Sequence, residues 1–375
     1  MPDPTVPSHE TLAARLAGVA AGSPLAEALA MRADANLHAE ASAQVLFERV
    51  DTQRLSHAER FGIALATADL HADIRLSAHY GERLAQAGGP PPEDARWTAA
   101  LRHVRLLVVE PVRAAATDLR ALETAGWSAD AILTLSQVVA YVSFQSRFVA
   151  GLALLADTAA AAGGEPPVPA GVWHTQPTAL SGRPAPTAFT RDELGWEPWL
   201  APRAAATLSP AETEQLQKAG HLQSDYFMLL ARDTPVLDHR TRTDKGIFYT
   251  HGGLSRAERE LAATVTSKVN GCIYCASVHA RKAAQLSGEV AAADALLAVA
   301  PGGDLAAGQS PRWQAQIRFA AQLAATPSRL GVAELAPLQA LGLTTLELLD
   351  LVGAVAFFSW ANRLMLTLGE PFRQP

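Results

Sequence analysis

The stretch that decides the fold is Leu254–Gly288, LSRAERELAATVTSKVNGCIYCASVHARKAAQLSG. Ser255 and Glu258 form a Ser-x-x-Glu capping box, which satisfies orphan backbone donors at a helix start and predicts a helix from Leu254 to Val269. Asn270-Gly271 interrupts that helix and supplies open backbone geometry, after which a second helix begins at or near Cys272. Cys272, Cys275 and His279 follow at spacings of three and four, so they share one face of the second helix.

The opening of this stretch recurs earlier in the chain. Leu55-Ser56-His57-Ala58-Glu59-Arg60 echoes Leu254-Ser255-Arg256-Ala257-Glu258-Arg259, and Gln86 to Gly88 echoes Gln285 to Gly288. Further on, Arg96-Trp97 returns as Arg312-Trp313, Pro111-Val112-Arg113 as Pro327-Ser328-Arg329, and Gly126 as Gly342. Ser143 and Arg147 return as Ser359 and Arg363. The later matches are spaced more widely than the early ones, so the second copy carries an insertion, placed around Val299 to Ser310. A repeat this long is a duplicated domain and not a solenoid, whose units run to roughly 20–50 residues.

The duplication divides the 375 residues into a first copy at 1–163, a linker at 164–205 and a second copy at 206–375. Eight prolines between Pro166 and Pro202 bar a continuous helix in the linker, while Trp173, Trp196 and Trp199 point to a strap docked on the protein. Ala129 to Leu155 and Thr344 to Leu368 read as long apolar helices, and no run alternates with period two. The predicted fold is all-α.

With 49% hydrophobic and 18% charged residues the chain is a well-buried globular protein, and its net charge of −6 offers no basic surface for nucleic acid. Met1 to Ala30 has no basic segment before an apolar run, and Val138 to Ala156 is broken by Gln145, Ser146 and Arg147. The first reads against a secretory signal and the second as a buried amphipathic helix, so the expected location is cytoplasmic, away from the membrane. Only two cysteines occur, and such a close pair in a reducing compartment is redox-active or metal-binding more often than a structural staple.

Partial positive charge at a helix start stabilises a thiolate there. A thiolate attacks an O–O bond, and a second thiol in reach converts the resulting sulfenic acid to a disulfide. His279 is placed to take the thiol proton, and a hairpin of the two helices would bring Glu260 near. A structural zinc site would call for a second Cys-x-x-Cys or a His pair, and neither is present, so no metal and no cofactor are expected.

Glu260, eleven intervening residues, Cys272-x-x-Cys275, three residues and His279 reproduce without a gap the motif of the alkyl hydroperoxidase D (AhpD)-like branch of the carboxymuconolactone decarboxylase superfamily. The resemblance covers roughly Phe189 to Pro371 and includes Asp244-Lys245-Gly246 and Trp360-Ala361-Asn362-Arg363. It implies an AhpD-like helical bundle in two tandem copies. Cys275 would be the peroxidatic residue, Cys272 the resolving one, and Glu260 and His279 the proton relay, with Tyr274 and Asn362 as pocket residues. It further implies a hydroperoxide substrate, an external dithiol or dihydrolipoyl-type electron donor, and a homo-oligomer. Tyr274 departs from the family, which often has a second histidine between the cysteines. The first copy has no cysteine, carries Phe61 where Glu260 would be, and keeps His79 opposite His279.

Three alternatives share these residues. A thiol–disulfide oxidoreductase would use the same pair, but no βαβ pattern accompanies it. A decarboxylase would need acid–base residues and no thiol pair. A non-enzymatic scaffold would bind a partner through the first copy. The duplication also raises the expectation that the two copies pair within one chain, so that a trimer of chains would mimic a hexamer of domains.

Overall fold

The computed structural model describes residues 7–48, 51–52, 54–159, 164–174 and 176–374. The first six residues of the segment read against a signal, and residues 160–163 at the end of the first copy, lie outside the described residues.

Three short helices open the chain: α1 (Leu12–Ala17), α2 (Pro24–Met31) and α3 (Ala33–Ala43). Five more follow: α4 (His57–Leu70), α5 (Ile74–Gln86), α6 (Ala95–Val109), α7 (Ala116–Thr124) and α8 (Ala129–Leu155). The linker supplies β1 (Leu194–Pro198), the second copy opens with α9 (Pro210–Ala219) and α10 (Asp225–Leu230), and α11 (Thr234–Phe248) leads into the second set. That set is α12 (Arg256–Asn270), α13 (Ile273–Ser287), α14 (Val290–Ala298), α15 (Pro311–Ala324), α16 (Val332–Ala340) and α17 (Thr345–Thr367), closed by β2 (Gly369–Arg373).

Helices α4 and α5 correspond to α12 and α13, and α6, α7 and α8 correspond to α15, α16 and α17, which leaves α14 without a counterpart in the first copy. The extra residues therefore comprise α14 as well as the loop after it, a wider insertion than the stretch from Val299 to Ser310. Both capping boxes form, Ser56 with Glu59 and Ser255 with Glu258. The repeated Arg-Trp pairs do the same work in each copy. Arg96 bonds to Glu59, and Arg312 Nε donates to Glu258 at 2.5 Å, so each ties the start of one helix to that of another.

The copies pack on one another through matching parts, α8 along α17 and α3 along α11. A single buried apolar cluster runs from Ala13 to Leu368 through both. Gly246 sits where α11 meets α3; a Cβ there would come within 2.6 Å of the Ala35 nitrogen. At the same crossing His38 and His239 meet Nδ1 to Nδ1 at 3.0 Å, one ring donating and the other accepting. Because α8 is covered by α17, it is buried around nearly its whole circumference and is not amphipathic. By length and composition α8 and α17 would suffice to cross a membrane, but 89% and 100% of their most apolar stretches lie inside the protein.

Two polar devices lock the seam. Arg147 donates to the Ala324 and Ala325 carbonyls at the end of α15, and Arg363 donates to the Val108 carbonyl at the end of α6. Each copy thus caps a helix C-terminus of the other with a guanidinium, where the helix dipole favours a cation. Their donors also converge on Thr326 Oγ1, at 2.6 and 3.3 Å. This is the physical role of the repeated Ser-x-x-x-Arg pairs. Elsewhere Asp350 of α17 accepts from Arg32 Nε at 2.7 Å, from Arg259 Nη2 at 2.9 Å and from the Leu254 amide at 2.9 Å, all of them buried.

Among the described residues the fold is all-α apart from one two-stranded ribbon. Leu194–Pro198 pairs antiparallel with Gly369–Arg373, and Trp196 Nε1 donates to the Met365 carbonyl. Neither strand alternates polar and apolar residues, so period-two patterning gave no sign of them. The rest of the strap is docked too. Gly171 N donates to the Lys268 carbonyl, and Ser277 Oγ and Arg281 Nη1 donate to the Asp192 and Arg191 carbonyls. Phe189 packs with Ile273, Ala276 and Ala280 on the outer face of α13.

His103, on α6, stands where the second copy has Phe319. It is buried with neither ring nitrogen hydrogen-bonded, and burial pushes its pKa down to about 3. Between that value and the ordinary 6.5 the unfolded chain binds a proton that the folded chain refuses, so stability falls as pH drops below 6.5. His103→Phe is therefore expected to stabilise the protein by about 1–3 kcal/mol at pH 7. The gain should be larger at pH 5, and urea unfolding at the two pH values measures both. An equal or smaller gain at pH 5 would contradict the assignment.

Candidate active site

Helix α12 ends at Asn270, and Gly271 turns the chain with φ +77°. A Cβ at Gly271 would lie 2.2 Å from the Val172 carbonyl oxygen of the strap, so both the turn and the close approach require glycine. Cys272 is the N-cap of α13, and its amide donates to the Ser267 carbonyl at 2.8 Å. Cys275 follows in the first turn of α13; both cysteines are free and buried.

The Cys272 thiol is pushed well above its usual range, first by burial and then by the neighbouring Cys275 thiol. The Cys275 amide and the Asn362 side chain act in the opposite sense without overcoming burial. The expectation that a helix start favours a thiolate thus does not hold for Cys272, because the loss of water outweighs the dipole.

One turn beyond Cys275, His279 Nδ1 and Glu260 Oε2 lie 2.5 Å apart. Glu260 is wholly buried, and its other oxygen accepts from Arg256 Nε at 3.3 Å. Burial works to raise its pKa, but the hydrogen bond from His279 and the charges of His279, Lys282 and Arg256 more than offset this, leaving it below the ordinary carboxylate value. A ring bonded to a carboxylate through Nδ1–H presents Nε2 as its proton acceptor. The His279 ring stands edge-on to Phe358 at 4.2 Å, with Phe248 beyond it.

Tyr274 is half-buried, and burial followed by the two thiols keeps its hydroxyl protonated, a donor and not a base. Asn362, fully buried on α17, donates to Ser267 Oγ at 3.1 Å and accepts from Asn270 Nδ2 at 3.0 Å. Asp244 is partly buried on α11 in the field of Glu260 and His279, its pKa raised by burial. His251 and Arg363 stand elsewhere: the first lines an open groove with Met31 and Tyr249, the second belongs to the seam. Among the described residues no three His, Cys, Asp or Glu side chains are placed to hold a metal ion.

Two residues near the thiols carry no sequence signal. Tyr226 on α10 is buried and its hydroxyl accepts from Arg240 Nη2 at 3.2 Å. Arg240 in turn lies over the Phe357 ring at 5.0 Å. Both thiols add to the effect of burial in raising the Tyr226 pKa, which places the ring in their surroundings. No spacing rule links α10 to α13, and the segment holds no motif.

The first copy shows the same slot with other chemistry. Asp73 is the N-cap of α5 where Cys272 caps α13, and seven residues beyond each cap stand Tyr80 and His279. Tyr80, not His79, is therefore the counterpart of His279, since the helices keep one register across the turn. Tyr80 bonds to Gln145, and Phe61 in place of Glu260 stacks on Phe47 at 5.4 Å.

No curated protein matches the chain. Residues 235–322 match the carboxymuconolactone decarboxylase family, so the part of the second copy that carries Glu260, Cys272, Cys275 and His279 is similar to that family.

Proposed function

We propose that the second copy is a cofactor-free thiol peroxidase that reduces hydrogen peroxide or alkyl hydroperoxides at Cys275. His279 takes the Cys275 proton and holds it against Glu260. The thiolate attacks one peroxide oxygen, the O–O bond breaks, and the sulfur is oxidised to a sulfenic acid. The departing alkoxide or hydroxide recovers the proton from His279 and leaves as alcohol or water. Cys272 then attacks the sulfenic sulfur, its proton and the hydroxyl group leave as water, and a disulfide joins the pair. An external dithiol donor of the dihydrolipoyl kind returns both sulfurs to thiols.

What carries this reading is a pair of neighbouring free thiols one helical turn from a half-buried histidine paired with a buried carboxylate. The rings of Phe248 and Phe358 beside His279 support an alkyl hydroperoxide over a strongly polar substrate. The test is stopped-flow oxidation of the reduced protein by hydrogen peroxide and by an organic hydroperoxide, with mass spectrometry of the peptide holding both cysteines. Two thiols per chain should disappear together. Cys275→Ala should abolish the reaction, and Cys272→Ala should leave a sulfenic acid that dimedone traps. Hydroperoxides that leave both thiols intact would overturn the proposal, and reduction of disulfide-bearing proteins in that case would favour an oxidoreductase.

A further inference from the structure

Arg256, the first residue of α12, stands one turn before Glu260, and its Nε donates to Glu260 Oε1 at 3.3 Å. On its other side the guanidinium lies over the Tyr249 ring, 4.1 Å from the centroid. The carboxylate is sealed, the guanidinium partly exposed and the ring open to solvent, so Arg256 links the buried end of the relay to the surface. Helix physics gives no reason for a cation here. The start of a helix carries partial positive charge, and an arginine one turn before a glutamate is the less favourable order of such a pair. The first copy shows the same place without a relay. Ser255-Arg256-Ala257-Glu258-Arg259-Glu260 and Ser56-His57-Ala58-Glu59-Arg60-Phe61 differ only where the second copy has Arg256 and Glu260. Where Phe61 replaces the carboxylate, His57 replaces the guanidinium, and the two rings stack at 6.4 Å. The ion pair is present in the copy that holds the thiols and replaced as a unit in the copy that lacks them.

We infer that Arg256 is a positioning residue for the relay: it engages Glu260 Oε1, leaves Oε2 to His279, and limits how tightly the pair holds a proton. With one oxygen taken by the guanidinium the carboxylate stays turned to the ring, so His279 keeps Nδ1 toward Glu260 and Nε2 free to accept. The guanidinium charge also offsets part of the carboxylate charge. The imidazolium formed when a thiol gives up its proton is therefore held less tightly than by a lone anion, and it returns the proton more readily to a leaving oxygen. The inference rests on His279 carrying the Cys275 proton, as the peroxidase reading has it, but not on a peroxide being the substrate. The other ionisable groups around the pair are Asp244 of α11, with Arg240 beside it, and Cys275 and Lys282 of α13, while α17 presents the uncharged Phe358 ring. Among the described residues only His279 and Arg256 hydrogen-bond to the Glu260 carboxylate, so removing Arg256 alters both its charge and its anchoring.

The experiment measures alkylation of Cys275 by iodoacetamide across the acid and neutral range in wild type, Arg256→Gln and Arg256→Lys, by mass spectrometry of the peptide holding both cysteines. In that reaction the sulfur displaces iodide and the thiol proton passes through His279 to solvent, so the rate reads the relay without a hydroperoxide. A relay that has lost the guanidinium charge takes its proton from solution at higher pH. The acid limb of Arg256→Gln should therefore lie about 0.5–1 pH unit above that of wild type, a partly exposed cation acting at the low end of what a neighbouring charge can do. Arg256→Lys restores the charge and should bring the limb most of the way back. A limb of Arg256→Gln that coincides with that of wild type overturns the inference. So does an equal displacement in both variants, or a loss of rate at every pH with the limb in place, since loosened packing gives either. An organic hydroperoxide mixed with the same proteins tests the parent reading separately. If it leaves the wild-type thiols untouched while the alkylation limb moves as expected, the peroxidase reading fails and the role of Arg256 stands.

Discussion

Glu260→Gln is expected to slow hydroperoxide-driven oxidation of Cys275 by about 10²–10⁴-fold, the range over which a positioned acid–base group acts. The substitution keeps the size of the side chain and an oxygen that accepts from His279, so the geometry of the 2.5 Å contact is retained while the charge is removed. What is lost is the anion that stabilises His279 once it has taken the thiol proton. Glu260 holds its pKa below the ordinary carboxylate value, so it is ionised throughout the neutral range. Its contribution to both relay and stability is present above the unfolded carboxylate pKa and is lost as pH falls through the lower folded value. The part of the acid-side loss of rate that comes from Glu260, below the ordinary carboxylate value, should therefore be missing in Glu260→Gln. Stopped-flow rates from pH 4 to 8 on the two proteins make the comparison, and a variant within threefold of wild type would remove Glu260 from the mechanism.

The largest expected loss of stability comes from Asp350→Ala. Its carboxylate answers two buried guanidiniums, Arg32 from the first copy and Arg259 from the second, and also holds the Leu254 amide at the entry to α12. Removing one member of a buried ionic group costs about 3–5 kcal/mol, chiefly because the remaining charge is left without water or partner. Here two cations are stranded, so the upper end of that range is expected. Arg32→Met leaves Asp350 paired with Arg259 and should cost less. Urea unfolding of the three proteins measures the order, and a loss under about 1 kcal/mol for Asp350→Ala would show that water reaches the cluster.

The features legible in the chain were the local ones. Capping boxes, the Asn270-Gly271 break and the long apolar helices follow from contacts within a few residues, and the repeated pairs Arg96-Trp97 and Arg312-Trp313 each anchor a helix start to a capping glutamate. Glu260 and His279 were named from their spacing to the cysteines, and the hairpin of α12 and α13 brings them into contact. The features that stayed hidden depend on parts far apart in sequence. The polarity of Cys272 is set by the burial around it and not by its helix start, so the dipole argument alone pointed the wrong way. Of the aliphatic residues beside the motif, Ile273 packs under the strap and Leu286 is exposed, while the rings near His279 arrive from α11 and α17. The ribbon of Leu194–Pro198 with Gly369–Arg373 joins the linker to the stretch after α17, a pairing across the whole second copy that no short-range pattern encodes.

The exchange of arginines between the two halves ties their helix ends to one another. Arg147 and Arg363 each finish a helix that belongs to the other half, so neither half carries all the groups that complete its own helix ends. In two separate polypeptides that exchange would be subject to dilution. Joined in one chain, it is held at a constant effective concentration set by the tether, whatever the amount of protein present. Loss of either arginine should therefore uncover a helix end in the half that does not carry it, which couples the stability of the two halves.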